Sequence, residues 1–284
     1  LRVDAVNRLL GTQLDKAQMV NILLPLGFGM DGDDIIIPSS RWDMERDCDV
    51  AEEVARFVGY NKMPSTAIRG VASARPTERQ TFHETLMNAL VGYGMYEIET
   101  FSFYSRKAFD AVNLPENDPL RNALVISNPL GEDTSIMRTT ALPSMMDVIA
   151  RNCNARAAEC ALFEDTTTYT PNADPDQLPT ETETLMLGAY GAGWDYLGLK
   201  GVVEKLLSTA GVTGYTVRRN AQGAAYHPGR AADLYLGETK LATLGEVHPA
   251  VCANYGVKAR IVAADVNLDA VFAARAAGVQ YQPL

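Results

Sequence analysis

Apolar residues recur at three- and four-residue steps over 15–26, where Met19, Ile22, Leu23 and Leu26 share a side and Gly27 follows as a stop. That spacing predicts a helix. A turn rich in Gly and Asp over 29–34 leads to Ile35, Ile36 and Ile37, read as a short strand closed by Pro38. Residues 39–47 read as loop or edge strand, 49–58 as a helix ended by Gly59, and 61–64 as a turn. These elements make a small mixed unit over 1–70.

Arg75-Pro76-Thr77 marks a boundary, because Pro suits the first turn of a helix and Phe82, Leu86, Ala89 and Leu90 then fall on one face before Gly92 and Gly94. The alternating aromatic and β-branched run YEIETFSF over 96–103 predicts a strand with one side on a core. Further strands are expected at 124–127, 161–169, 185–190, 215–219, 232–236, 240–246 and 260–265, and helices at 141–152 and 195–210. The proline- and acid-rich stretch 170–182 reads as a solvated loop. The fold class is therefore α+β: a small mixed domain over 1–70, then over 75–275 a largely antiparallel sheet with flanking helices.

Composition sharpens this. At about 150 residues per domain, 284 residues give a prior of two domains. Apolar residues make up 47% and charged ones 21%, an ordinary globular balance. With 35 acidic against 25 basic residues, the net charge of -10 is the reverse of the broad positive field of a nonspecific nucleic-acid binder. No stretch has the length of a membrane span and no export pattern opens the chain, so a cytoplasmic protein is expected. Cys48, Cys153, Cys160 and Cys252 show no CxxC spacing, and His83, His227 and His248 are scattered, which argues against zinc and against a disulfide framework. The chain opens at Leu1 and closes on Gln282-Pro283-Leu284, and reads as a piece of something longer.

The most chemical stretch is RWDMERDCDVAEE over 41–53. On a helix starting near Asp49, the residues Asp49, Glu52 and Glu53 stand at i, i+3 and i+4 on one face. Asp43 could fold back over that turn and complete an all-oxygen set for a hard divalent cation, magnesium rather than calcium, since no regular loop of alternate ligands is present. The competing reading is structural. Acids in a first helical turn favour the macrodipole, and Asp49-x-x-Glu52 resembles a capping box.

The runs PSSRWD (38–43), DVAEEVAR (49–56) and GYNKMP (59–64) resemble the B5 domain of the bacterial phenylalanine–tRNA ligase β subunit, whose pattern is close to PSxRxD, D-x-x-EE-x-AR and GYxxIP. Met63 stands for the commoner Ile and Ser40 for the usual Trp. RLLGT (8–12), SNPL (127–130) with MRTTALPSM (137–145), and HPGRAA (227–232) with GEVHP (245–249) are similar to further elements of that subunit. Residues 281–284 resemble the linker before its anticodon-binding domain. The resemblance implies that Asp43, Asp49, Glu52 and Glu53 bind Mg²⁺ at the boundary with an α subunit. It also implies a heterotetramer of two α and two β subunits, a class II synthetase-like second domain without activity of its own, and residues 276–284 as a linker. In that family ATP is a substrate of the whole enzyme, and tRNA is contacted mainly through other domains.

The residues bear on activity independently. Forming an adenylate needs fixed cations against phosphate, which Arg supplies best. The stretches matching the arginine-bearing elements of active class II enzymes read Phe163-Glu164-Asp165-Thr166 and Gly245-Glu246-Val247-His248-Pro249, with no Arg, so two carboxylates are expected where a phosphate would sit. No catalytic residue is assigned. His248 beside Glu246 lacks the companions of a nucleophilic site, His227 reads as a local hydrogen-bonding residue, and Gly188 to Gly193 reads as a turn rather than a phosphate loop. Two other readings stay open: a winged-helix-type nucleic-acid module, disfavoured by the small net charge of the first unit, and a stand-alone adenylate-forming ligase.

Overall fold

The computed structural model describes residues 1–67, 70, 74–174, 176–220 and 223–276. The expected element at 281–284, and the linker beyond residue 276, lie outside the described residues. The chain divides into two compact units, Leu1–Ala74 and Arg75–Leu284.

In the first unit, α1 (Val3–Leu10) has Asp4 in its first turn, Arg8 in its last and Gly11 in the left-handed region as its cap. Helix α2 (Lys16–Leu23) opens with a capping box: the Asp15 carboxylate accepts from the Gln18 N–H at 2.8 Å, and the Gln18 side chain accepts from the Asp15 N–H at 2.9 Å. Pro25 then tightens Leu24–Leu26 into a 3₁₀ turn before Gly27. Where the sequence reads as a turn, 29–34 instead carries the first strand of a hairpin, β1 (Gly29–Asp31), paired antiparallel with β2 (Asp34–Ile36). Helix α3 (Asp47–Val58) ends at Gly59. Val6, Met19, Leu23, Phe28, Met44, Val50, Ala51 and Val54 form the core.

The second unit opens on α4 (Glu78–Gly92), whose N-cap Thr77 exchanges hydrogen bonds with Gln80 and whose Phe82, Leu86 and Leu90 are buried. The run at 96–103 is not one strand. It yields β3 (Tyr96–Glu97) in the large sheet and β4 (Phe103–Tyr104) in a small one, leaving Tyr96 and Phe101 each 74% exposed. After α5 (Lys107–Ala111) comes β5 (Ile136–Met137), paired with β4; the expected strand at 124–127 reduces to a bridge between Val125 and Ile136. Then follow α6 (Leu142–Asn154), β6 (Cys160–Thr170), β7 (Thr180–Tyr190), α7 (Tyr196–Thr209), β8 (Thr216–Arg219), β9 (Tyr226–Leu236), β10 (Thr239–Val247), α8 (Pro249–Asn254), β11 (Val262–Asn267) and α9 (Leu268–Ala274).

Among the described residues the large sheet runs β3-β6-β7-β11-β10-β9-β8, antiparallel throughout except for the parallel pairing of β3 with β6. Successive residues of a strand face opposite sides. Phe163, Leu185, Leu187, Val262, Ala264 and Leu244 meet α4, α7 and α9 on one face. Leu162, Met186, Tyr190, Ala263 and Ala231 meet α6 and α8 on the other. Helix α6 lies so close that a Cβ at Gly188 would stand 2.6 Å from Met145 Cγ and 2.9 Å from Ile149 Cδ1.

Candidate functional site

Helix α3 starts two residues before Asp49, so Asp49 sits at its third position rather than its cap. Its Oδ2 accepts from the backbone N–H of Arg46 at 2.7 Å and of Glu45 at 2.9 Å, the free donors of a helix start. Those bonds hold the Asp49 carboxyl below its ordinary value. This replaces the Asp49-x-x-Glu52 capping box. Asp43 projects from the loop before the helix, and Arg41 grips it with Nε at 3.0 Å and Nη2 at 2.8 Å. The same Nη2 stands 2.8 Å from Oε1 of Glu53, whose other oxygen meets Arg56. Burial works to raise the Glu53 carboxyl, but hydrogen bonds from Arg56 and Arg41 outweigh it and hold it low; Asp43 is held low chiefly by Arg41. Glu52 faces solvent.

Of the four expected metal ligands, the structure thus brings Asp43 and Glu53 together around one guanidinium, commits one oxygen of Asp49 to the backbone, and leaves Glu52 apart. Among the described residues no group of three or more His, Cys, Asp or Glu side chains is disposed to hold a metal ion. The donor chemistry suits a hard cation, since ionised carboxylate oxygens are what Mg²⁺ takes. The arrangement does not, because Arg41 already supplies positive charge between Asp43 and Glu53.

On the sheet, the two carboxylates expected at a phosphate position separate. Asp165 points toward α4, where its Oδ2 lies 2.5 Å from His83 Nδ1. Glu164 points to the opposite face and is buried with Arg138, whose Nη1 is 3.2 Å from Oε1. Thr100 also donates to Glu164, through its backbone N–H at 3.0 Å and its hydroxyl at 2.8 Å. Glu246 is likewise buried and taken by Arg230 at 2.6 Å, with Arg260 at 3.6 Å. At both places expected to lack an arginine against phosphate there stands a carboxylate already neutralised by an arginine from elsewhere in the chain. The neighbouring carboxylates Glu164 and Asp165 thus face opposite sides of the sheet, each with its own partner, rather than standing together as the sequence suggests.

The other two histidines, His227 and His248, bond locally. His248 Nδ1 accepts from the Ala250 N–H at the start of α8, and His227 Nδ1 from the Gly229 N–H, each at 3.1 Å. The Gly188 to Gly193 stretch ends β7 and turns into α7, with Gly191 and Gly193 at positive φ and Asp195 as N-cap. Sequence reading missed Arg138, although it lies in the run MRTTALPSM, because nothing local shows that an arginine between Met137 and Thr139 is buried against Glu164.

The fold is similar to that of the pyrrolysyl-tRNA synthetase from Desulfitobacterium hafniense, which aligns with a TM-score of 0.57 over 90% of this chain and 88% of that one, at 15% identity. Residues 63–268 match the family model described as the phenylalanyl tRNA synthetase beta chain CLM domain, and residues 1–60 match the tRNA synthetase B5 domain. The chain belongs to the phenylalanyl-tRNA synthetase β-chain family. It is 38% identical to the phenylalanine–tRNA ligase beta subunit of Clostridium tetani over 96% of its own length and 35% of the relative's, and 37% identical to that of Geobacter metallireducens over 94% and 36%. The chain thus spans about a third of the length of the curated relatives it matches. Among the described residues no helix is long and apolar enough to cross a membrane.

Proposed function

We propose that this chain supplies the B5 and catalytic-like portions of a phenylalanine–tRNA ligase β subunit in the cytoplasm, supporting a catalytic α subunit that attaches phenylalanine to its tRNA at the expense of ATP. It forms no aminoacyl-adenylate itself. The observation that carries this is the pair of buried carboxylates, Glu164 and Glu246, each already paired with an arginine of the same chain, the buried Arg138 and the half-exposed Arg230, on a sheet one face of which is covered by α6. A site for a polyphosphate needs uncommitted cations, and Arg138 and Arg230 are spent on these acids.

The association surface in this reading is residues 77–103, helix α4 and the segment after it, where Tyr96 and Phe101 stand exposed. Contiguous exposed apolar patches mark contact surfaces, and Phe101 stacks on Phe103 with ring centroids 5.1 Å apart. The assembly is a heterotetramer of two α and two β subunits. Asp43, Asp49, Glu52 and Glu53 hold Mg²⁺ at the boundary with α, which requires Arg41 to leave Asp43 and Glu53 as the partner arrives. Contacts with tRNA fall mainly to other parts of the β subunit.

The test is co-expression of the α subunit with full-length β. Recovery of phenylalanylation only from the mixture, and its loss with Tyr96→Asp/Phe101→Asp, is the expected result. Pyrophosphate exchange by the 284-residue chain alone would overturn the inactive-site reading. For the metal, Asp43→Asn/Glu53→Gln should abolish Mg²⁺-dependent stabilisation of the complex while leaving the isolated chain folded.

A further inference from the structure

Away from these places, the face of the sheet formed by β9, β10 and β11 carries a cavity of about 230 Å³. One wall is apolar, made by Val112, Leu114, Leu120 and Leu142; the sheet supplies Tyr226, Thr243 and Asp265. Thr243 lies between Asp265 on β11 and Asp233 on β9 in the strand register. The two acids differ in what they have. Asp233 Oδ1 accepts from the Thr243 hydroxyl at 2.6 Å and from Asn220 Nδ2 at 3.1 Å. Asp265 has no hydrogen bond and no ion pair among the described residues, and burial pushes its carboxyl up to about 6, with Lys240 pulling the other way.

Tyr226 is the second observation. Its side chain is 7% exposed, and its hydroxyl has no hydrogen-bond partner among the described residues. Burial and the carboxylates of Asp265 and Asp233 drive its pKa up, so the group stays a phenol. No buried side-chain polar atom among the described residues lacks a partner, so the unpaired Asp265 carboxylate and Tyr226 hydroxyl are not sealed away; they line the cavity, where a bound group can reach them. A carboxylate and a phenol left open in one small cavity with an aliphatic wall define the ligand: a cation with hydrogens to donate to Asp265 and Tyr226 and a short apolar body for the leucines. The volume lies below the ~300–1,000 Å³ of drug-sized sites, which limits the guest to amino-acid size.

The geometry points to a binding site for a small primary ammonium carried on an apolar body, with its –NH₃⁺ on Asp265. Two sources share that chemistry. A free alkylamine uses Asp265 and Tyr226; an amino acid would add a carboxylate, for which Lys240 lines the same cavity. This site is independent of the role proposed above, and its test reads binding only.

The experiment is calorimetric titration of the 284-residue chain with 3-methylbutylamine, leucine and 3-methylbutan-1-ol as probes. Saturable binding of the amine at least about tenfold tighter than the alcohol, a difference of about 1.4 kcal/mol, is the expected result. Asp265→Asn should remove that preference and leave the alcohol unaffected. Leucine binding more tightly than the amine, with the gain lost in Lys240→Ala, assigns the site to amino acids; the reverse order assigns it to free amines. No saturable heat from either ammonium compound overturns the inference, as does equal affinity for amine and alcohol or an unchanged affinity in a folded Asp265→Asn chain. Should that variant fail to fold, the preference for amine over alcohol in the unaltered chain still decides.

Discussion

Arg138 and Glu164 face each other almost sealed from solvent, their side chains 3% and 2% exposed and Nη1 standing 3.2 Å from Oε1. Arg138 also donates through Nε to the Thr167 carbonyl at 2.9 Å and through Nη1 to the Thr100 hydroxyl at 3.0 Å, so it ties the segment after β3 to the middle of β6. Removing one partner of such a pair leaves a buried charge alone. Arg138→Ala should therefore destabilise the second unit by about 3–5 kcal/mol, while Arg138→Met/Glu164→Leu should recover much of the loss. Urea unfolding of the three chains is the measurement; a double variant as weak as the single one would show that the pair contributes more than mutual neutralisation.

The acidic loop of the first unit gives a pH dependence of known sign. Asp43, Asp49 and Glu53 all have folded values below their ordinary ones of 3.8, 3.8 and 4.5. On acidification the unfolded chain takes up protons first. The stability these groups contribute is thus complete above about pH 5 and is lost as the pH falls through their folded values. The urea midpoint of this unit should drop between those limits, followed by amide exchange in α3. Arg41→Ala should flatten the drop, because Arg41 is the main cause for Asp43 and one of the causes for Glu53. A midpoint with the same acid slope in both chains would contradict the assignment.

Gly188 has no room for a methyl group against Met145 and Ile149. Gly188→Ala should cost about 1–3 kcal/mol through overpacking, read as a lowered melting temperature. Adding Met145→Val should restore part of it. A Gly188→Ala chain as stable as the parent would mean that α6 shifts freely across the sheet.

At the opening of α4, Thr77 accepts from the Gln80 N–H at 3.2 Å. Thr77→Ala should cost about 0.5–2 kcal/mol, whereas Thr77→Asp, which keeps an acceptor at the cap, should cost far less. Chemical denaturation of the two variants separates loss of the cap from loss of the side chain itself.

The strands expected at 185–190 and 260–265 fall in β7 and β11, and the helix expected at 195–210 is α7, which begins one residue after its N-cap Asp195. What stayed hidden has physical reasons. Helices α8 and α9 are only six and seven residues long, too short for a periodic signal. The run at 96–103 has strand composition, yet it changes sheets midway, and composition carries no information on pairing partners. In the acidic segment the residue types were readable and their allegiance was not: helical spacing placed Asp49, Glu52 and Glu53 on a common face, but the earlier start of α3 gave Asp49 to the backbone and the salt bridges gave Glu53 to Arg41 and Arg56. Asp265 left a faint trace, an acid inside the apolar run from Val262 to Val266. Reading it required knowing that β10 sets it beside a cavity.

Arg41 joins a loop carboxylate to a helix carboxylate through a single nitrogen. The first unit therefore carries its own counter-ion. Charge balance in this segment thus rests on one side chain, through which the loop and the helix are held to each other.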